Sequence, residues 1–239
     1  FANLLTQGMV LNHIYSHTPK AGRRVYFNPK DIEEVAGDGG AKAYRAKLPD
    51  GSVVAAEYEG LGTMSKSKNN GVDPQAFVEK YGADTARLFM MFASPPELTL
   101  EWSDEGAEGA FRFLKRLWRA VHVHVSAGAV VPVLGKSKGS DPLEFTGAQK
   151  ELRRLAHQTL VKVGDDIGRR RTFNTAIAAV MELLNAIGRF DDASPAGRVV
   201  VQEALEIVVL TLSPVVPHVT HALWRELGHE RAVIDEPWP

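Results

Sequence analysis

The 239 residues are 44% apolar and 24% charged, enough for a sizeable core in one large domain or two modest ones, which excludes disorder along the whole chain. Lys plus Arg number 28 against 29 Asp plus Glu, a net charge of −1, which excludes a uniformly basic nucleic-acid binder and leaves a locally basic one open. Cysteine is absent, which excludes disulfides, thiolate zinc sites and a cysteine nucleophile, and no apolar run approaches the roughly 20 residues of a membrane helix. The chain opens on Phe1, without a charged leader, and closes on Pro239. It therefore reads as a piece of something longer.

In chain order, residues 1–20 read as a short element ending in Gly8-Met9-Val10-Leu11. Lys42 to Leu48 alternates, with Tyr44, Ala46 and Leu48 on one side. Pro49-Asp50-Gly51 supplies a turn, and Ser52 to Tyr58 a returning strand. Residues 25–60 are thus a small β-rich insert. From residue 74 the period becomes helical. Apolar stripes run through Phe111, Leu114, Trp118, Val121 and Val125, and through Leu152, Leu155, Thr159 and Val163. Others run through Phe173, Ile177, Val180, Met181 and Leu184, and through Leu205, Val208, Val209 and Leu212. Pro214 and Pro217 interrupt the last, which restarts over Val219 to Leu227. Gly128 to Gly139 is a loop, and Asp141-Pro142 and Ser194-Pro195 punctuate the helices. Four or five amphipathic helices with short links predict a bundle.

The stretch from Gly62 to Pro74 is small, polar and basic, with no acid between Thr63 and Gly71. Such a loop can aim backbone N–H groups, the Ser65 and Ser67 hydroxyls and lysine ammonium groups at one phosphate. A positioned cation there lowers the barrier for a leaving group that gains negative charge. The same composition also fits a solvated turn. Gly135-Lys136-Ser137 resembles the tail of a P-loop, but Val130 occupies the first glycine's place. No G-x-G-x-x-G occurs. His13 with His17 and His218 with His221 lack a third placed ligand, so no metal site is assigned. No nucleophile–base pair stands out.

Charge is unevenly spread. Residues 106–127 balance at +3, 150–171 at +4 and 191–239 at −5. Arg112, Lys115, Arg116, Arg119 and His122 recur at helical spacing as one basic face, the pattern that binds phosphate backbones; a solvated face is the plain alternative. Arg169, Arg170 and Arg171 precede Thr172, a candidate N-cap, where cations gain nothing from the helix dipole. That favours an anionic partner for them.

Met64-Ser65-Lys66-Ser67 resembles the KMSKS signature of class I aminoacyl-tRNA synthetases. The run from Lys68 to Pro74, Tyr81 to Arg87, Leu88 to Pro95 and Leu100-Glu101-Trp102 extend the likeness. Asn69-Asn70 resembles the leucyl members, where valyl and isoleucyl ones usually show Gly-Asn. Phe113 to Trp118, Phe173 to Ile177, and Pro217-His218 with Leu223-Trp224 are similar to their helical anticodon-binding domain. The resemblance covers nearly the whole chain and points to bacterial leucyl-tRNA synthetases.

It implies a mainly α fold: a helical bundle preceded by a small β-rich insert and the end of a Rossmann-like α/β catalytic core. Residues 1–24 would end that core, and 25–60 would be a leucine-specific insert. Residues 61–105 would carry the signature loop and stem-contact fold, and 106–239 the helical tRNA-docking domain. It implies leucine, ATP, Mg2+ and tRNA-Leu as substrates, cofactor and partner, for a monomer in the cytoplasm. Met64, Ser65, Lys66 and Ser67 would bind ATP, with Lys66 catalytic, stabilising charge on departing pyrophosphate. Arg112, Lys115, Arg116 and Arg119 would hold the tRNA backbone. The signature's first lysine is Thr63 here, which removes one positive charge and questions any phosphate contact at that position. No HIGH-like signature occurs, so the piece is expected to be inactive alone. A non-catalytic tRNA-docking module, or a valyl or isoleucyl sister enzyme, are the other readings. Asn69-Asn70 and Leu100-Glu101-Trp102 argue against the sister.

Overall fold

The structure is a computed structural model, which describes residues 4–20, 22–128, 132–133 and 144–238. The P-loop-like Gly135-Lys136-Ser137, the Asp141-Pro142 break, most of the 128–139 loop, and residues 1–3 and 239 lie outside them. The chain divides into two compact units. One comprises residues 1–80 and 97–103, the other 81–96 and 104–239.

The first unit is built on a sheet. Strands β1 (Val10–His17), β2 (Val25–Phe27), β3 (Ile32–Ala36), β4 (Lys42–Lys47), β5 (Val53–Thr63) and β6 (Leu100–Glu101) order as β2-β1-β5-β4-β3, with β6 parallel to β1. The expected hairpin is present: Tyr44 pairs with Ala56 and Ala46 with Val54. Its tip closes through Gly51 N–H to the Leu48 carbonyl, with Gly51 at φ +88°. Tyr15, Phe27, Ala46 and Ala56 are buried together, and Ile32, Tyr44, Leu48 and Val54 pack on them. The side of the hairpin that carries Tyr44, Ala46 and Leu48 is thus the core side.

Gly8 to Leu11 does not end the first element; it leads into β1. The apolar run there is the start of a strand paired on both edges, by β5 and by β6. β5 is long enough to serve two partners. Its first half pairs with β4, and residues from Glu57 to Thr63 pair with β1 across a bulge at Glu59 and Gly60. Helix α1 (Pro74–Tyr81) follows.

The second unit is helical, with α2 (Ala83–Phe92), α3 (Asp104–Ser126), α4 (Gly147–Asp165), α5 (Phe173–Arg189), α6 (Pro195–Leu212) and α7 (Pro217–Glu226). The expected bundle is there, and α6 is its centre, buried almost all round from Val200 to Leu212. The starts are capped as their residues dictate. Thr146 and Gln149 form a capping box on α4, Ser194 Oγ accepts from Gly197 N–H on α6, and Pro195 and Pro217 sit in the first turns.

One stripe differs from expectation. The buried face of α3 is Ala107, Ala110, Phe113, Leu114, Leu117, Val121 and His124. Trp118 is 47% exposed. Two stripes fit the helical period in this stretch and share Leu114 and Val121; the buried one runs through Phe113 and Leu117 rather than through Trp118.

Candidate functional site

β5 delivers the basic loop. The Met64 N–H reaches the Val10 carbonyl at 3.5 Å, and Lys66–Lys68 form one turn of 3-10 helix. Ser65 caps that turn, its Oγ accepting from Lys68 N–H at 3.3 Å. Asn69 then takes the left-handed conformation at φ 49°, which asparagine tolerates.

Asn70 is fully buried and holds the loop closed. Its Oδ1 accepts from Ser65 N–H at 2.9 Å. Its Nδ2 faces the carbonyls of Asn12, Gly62 and Thr63 at 3.4, 3.5 and 3.4 Å. Its own carbonyl accepts from the buried Asn12 Nδ2 at 3.0 Å. Both ends of the loop are thereby tied to β1. Lys66 and Ser67 stand exposed, and neither Lys66 nor Lys68 has a carboxylate partner among the described residues. The structure thus brings Met64, Ser65, Lys66 and Ser67 together on a pinned turn whose ammonium charge is not neutralised locally. That is what an anion-binding loop requires.

The four basic residues assigned to RNA lie together on the exposed side of α3, with His122. Arg112 pairs with Glu108 at 3.1 Å, an exposed i,i+4 contact that contributes little. Lys115 lies over the Phe111 ring at 4.3 Å. Arg116 and Arg119 have no ion-pair partner among the described residues.

The second basic cluster behaves differently. Arg153 grips the buried Glu203 with two hydrogen bonds, at 2.7 and 3.2 Å, and His157 adds a third at 3.0 Å. Arg154 pairs with Glu151, and Arg169 with Asp165. Lys162 and Arg170 converge on the buried Asp166 at 2.7 and 3.0 Å. Burial pushes the Asp166 carboxyl up, but hydrogen bonds from Lys162 and Thr175 outweigh it and leave the pKa below its ordinary value. Arg169 and Arg170 sit in a π-helical turn that ends α4, and Thr172 makes no side-chain cap. Thr172 does stand at the N-cap position of α5, as expected, but Arg169 and Arg170 belong to the turn before it. They close the preceding helix, where cations suit the dipole, and each is paired with a carboxylate one turn earlier.

The histidine pairs do not converge. His13 Nδ1 meets the Tyr58 hydroxyl at 3.0 Å, His17 Nδ1 the Ala55 carbonyl at 3.0 Å, and His218 Nδ1 the Asp84 carboxylate at 2.8 Å. Among the described residues no group of three or more His, Asp or Glu side chains is placed to hold a metal ion.

Residues 40–103 match the family model described as tRNA synthetases class I (I, L, M and V). Residues 149–239 match the one described as anticodon-binding domain of tRNA ligase. The leucine–tRNA ligase of Nitrosospira multiformis is 58% identical over the whole of this chain, and that of Marinobacter nauticus 55%. The chain belongs to the leucine–tRNA ligase family. It spans 27% of the length of those two relatives.

A solved leucyl-tRNA synthetase of Agrobacterium radiobacter K84, in ternary complex with tRNA and LeuAMS, shares 27% identity at a TM-score of 0.63. That match covers 74% of this chain and 22% of that one. The apo methionyl-tRNA synthetase of Mycobacterium tuberculosis, 20% identical with a TM-score of 0.50, covers 66% and 35% and shares the fold alone. The loop of Lys66 lies within the class I match. The basic face of α3 falls between the two matched ranges. Sequence reasoning used Asn70 as a family mark and missed its work as the buried tie of the loop. The pairing of two polar residues, Asn12 and Asn70, across 58 positions leaves no local signal.

Proposed function

We propose that this chain is the part of a leucine–tRNA ligase that supplies the phosphate loop and the tRNA-docking helices. The whole enzyme joins leucine to ATP as leucyl-adenylate, releasing pyrophosphate, and then transfers the leucyl group to tRNA-Leu. Lys66 is the catalytic cation. Its ammonium holds the ATP phosphates with Met64, Ser65 and Ser67, and offsets the charge that develops on departing pyrophosphate as the leucine carboxylate attacks the α-phosphorus. Arg112, Lys115, Arg116 and Arg119 position the tRNA by its backbone.

Residues 1–24, 25–60, 61–105 and 106–239 take the roles of core end, leucine-specific insert, loop with stem-contact fold, and docking bundle. ATP brings the phosphates, and Mg2+ is assigned no ligand in this chain because no acidic cluster among the described residues suits it. No described helix is long and apolar enough to cross a membrane.

The observation that carries the reading is the tied loop whose lysines lack a carboxylate partner. The test is amino-acid-dependent ATP–pyrophosphate exchange by the full-length enzyme, with and without Lys66→Ala, across leucine, isoleucine, valine and methionine. Exchange with leucine alone, reduced on the order of 10²–10³-fold in the variant, is the expected result. Full exchange by Lys66→Ala removes its catalytic role, and exchange with another amino acid removes the substrate.

A further inference from the structure

We propose that Trp118 is a stacking platform for an unpaired nucleobase of the RNA that docks on the basic face of α3. This rests on the tRNA-docking reading above and extends it from backbone contacts to a base contact. Trp118 is 47% exposed, whereas Trp224 in the same unit is 1% exposed. The Trp118 indole has no hydrogen-bond, ring or cation–π partner among the described residues.

Its helical neighbours are Lys115 one turn before, Arg119 beside it and His122 one turn after. None of these three has a carboxylate partner among the described residues. Phe111, the other aromatic on this side, is already engaged by Lys115 at 4.3 Å and edge-on by Tyr81 at 5.5 Å. The free aromatic face on this surface is therefore that of Trp118.

An indole bordered by cations fits a polyanion that also presents flat rings. RNA does so where its bases are unpaired, in loops and bulges, since a duplex hides the base faces. The helix that carries it is anchored: Leu114, Leu117 and Val121, around it on the helix, are buried.

The test measures tRNA binding by the full-length protein for Trp118→Ala, Trp118→Phe and Arg116→Ala across a salt series. Trp118→Ala is expected to weaken binding about 5- to 150-fold, the range for losing one stacked base. It should leave the salt slope unchanged because no charge is removed, while Trp118→Phe retains most of the affinity. A fully base-paired RNA duplex should bind Trp118→Ala and the parent protein alike, and the urea midpoint without RNA should not move. Binding by Trp118→Ala within 2-fold of the parent while Arg116→Ala weakens it would overturn the stacking role. So would an equal loss on the paired duplex, or a lowered urea midpoint, which would place the indole against protein instead. If Arg116→Ala also binds normally, the docking reading itself fails.

Discussion

Replacing Asn70 by alanine removes the side chain that closes the lysine loop. The loss can be worked from its contacts. The Ser65 N–H loses an acceptor at 2.9 Å. The three carbonyls around Nδ2 stand at 3.4 to 3.5 Å, the weak end of hydrogen bonding, and together count as about one bond. The bond from Asn12 Nδ2 to the Asn70 carbonyl survives the change. Two buried bonds' worth, with the partner groups left unsatisfied, is about 2–3 kcal/mol.

The loop is local, so the readout is native-state amide exchange at Ser65, Lys68 and Asn69, whose N–H groups bond within the loop. The expected acceleration is roughly 30- to 150-fold at these amides, with amides of α5 and α6 unchanged. Asn70→Asp keeps the acceptor but sets a carboxylate against three carbonyls, and should open the loop at least as much. Acceleration below about 5-fold in Asn70→Ala would mean that the strand, not the asparagine, holds the loop.

Three other outcomes follow from single contacts. Arg116→Ala should weaken tRNA binding and lower its salt slope by about one unit with adenylate formation unchanged, which a filter-binding series and pyrophosphate exchange read separately. Gly8→Ala would set a methyl 2.2 Å from the Leu98 carbonyl oxygen, beside the β1–β6 pairing. It should cost about 1–3 kcal/mol, and an unchanged urea midpoint refutes that close approach.

The third concerns pH. Burial depresses the His124 imidazole, a hydrogen bond with Gln202 opposes this, and Arg198 adds to the depression. The folded state thus binds its proton less readily than the unfolded chain. The stability due to this group is complete above the unfolded value of about 6.5 and is lost as pH falls through the folded value. His124→Asn should flatten the stability profile below about pH 6.5, and an equally steep profile would show that other groups set it.

The hairpin, the helical bundle and the exposed basic side of α3 were legible because each is a short-range pattern: alternation, a Pro-Asp-Gly turn, a helical period. Long-range choices were not. Val10 to His17 reads as nothing definite alone and becomes a strand because β5 and β6 flank it. Trp118 looked like core because its spacing fits the helix as well as the true stripe does. Arg169 and Arg170 were read with the helix that follows, whereas their partners Asp165 and Asp166 precede them by four residues. In the loop, residue types announced the chemistry, and the buried asparagine that gives it shape did not.

The double use of β5 has a consequence for how this region tolerates change in length. Its outer half ends in a turn whose residues 49–52 face solvent. Residues added there lengthen a loop, at a cost that grows only slowly with size. The inner half has no such slack. From Gly60 to Thr63 every residue is matched to β1, and Asn70 must return to Asn12 at the end. One residue inserted between Gly60 and Thr63 would turn each following side chain to the opposite face and carry the lysine turn out of reach of its asparagine. The strand therefore acts as a ruler: insertions and deletions can accumulate freely at its outer end, while the distance from the bulge to Lys66 is set to the residue.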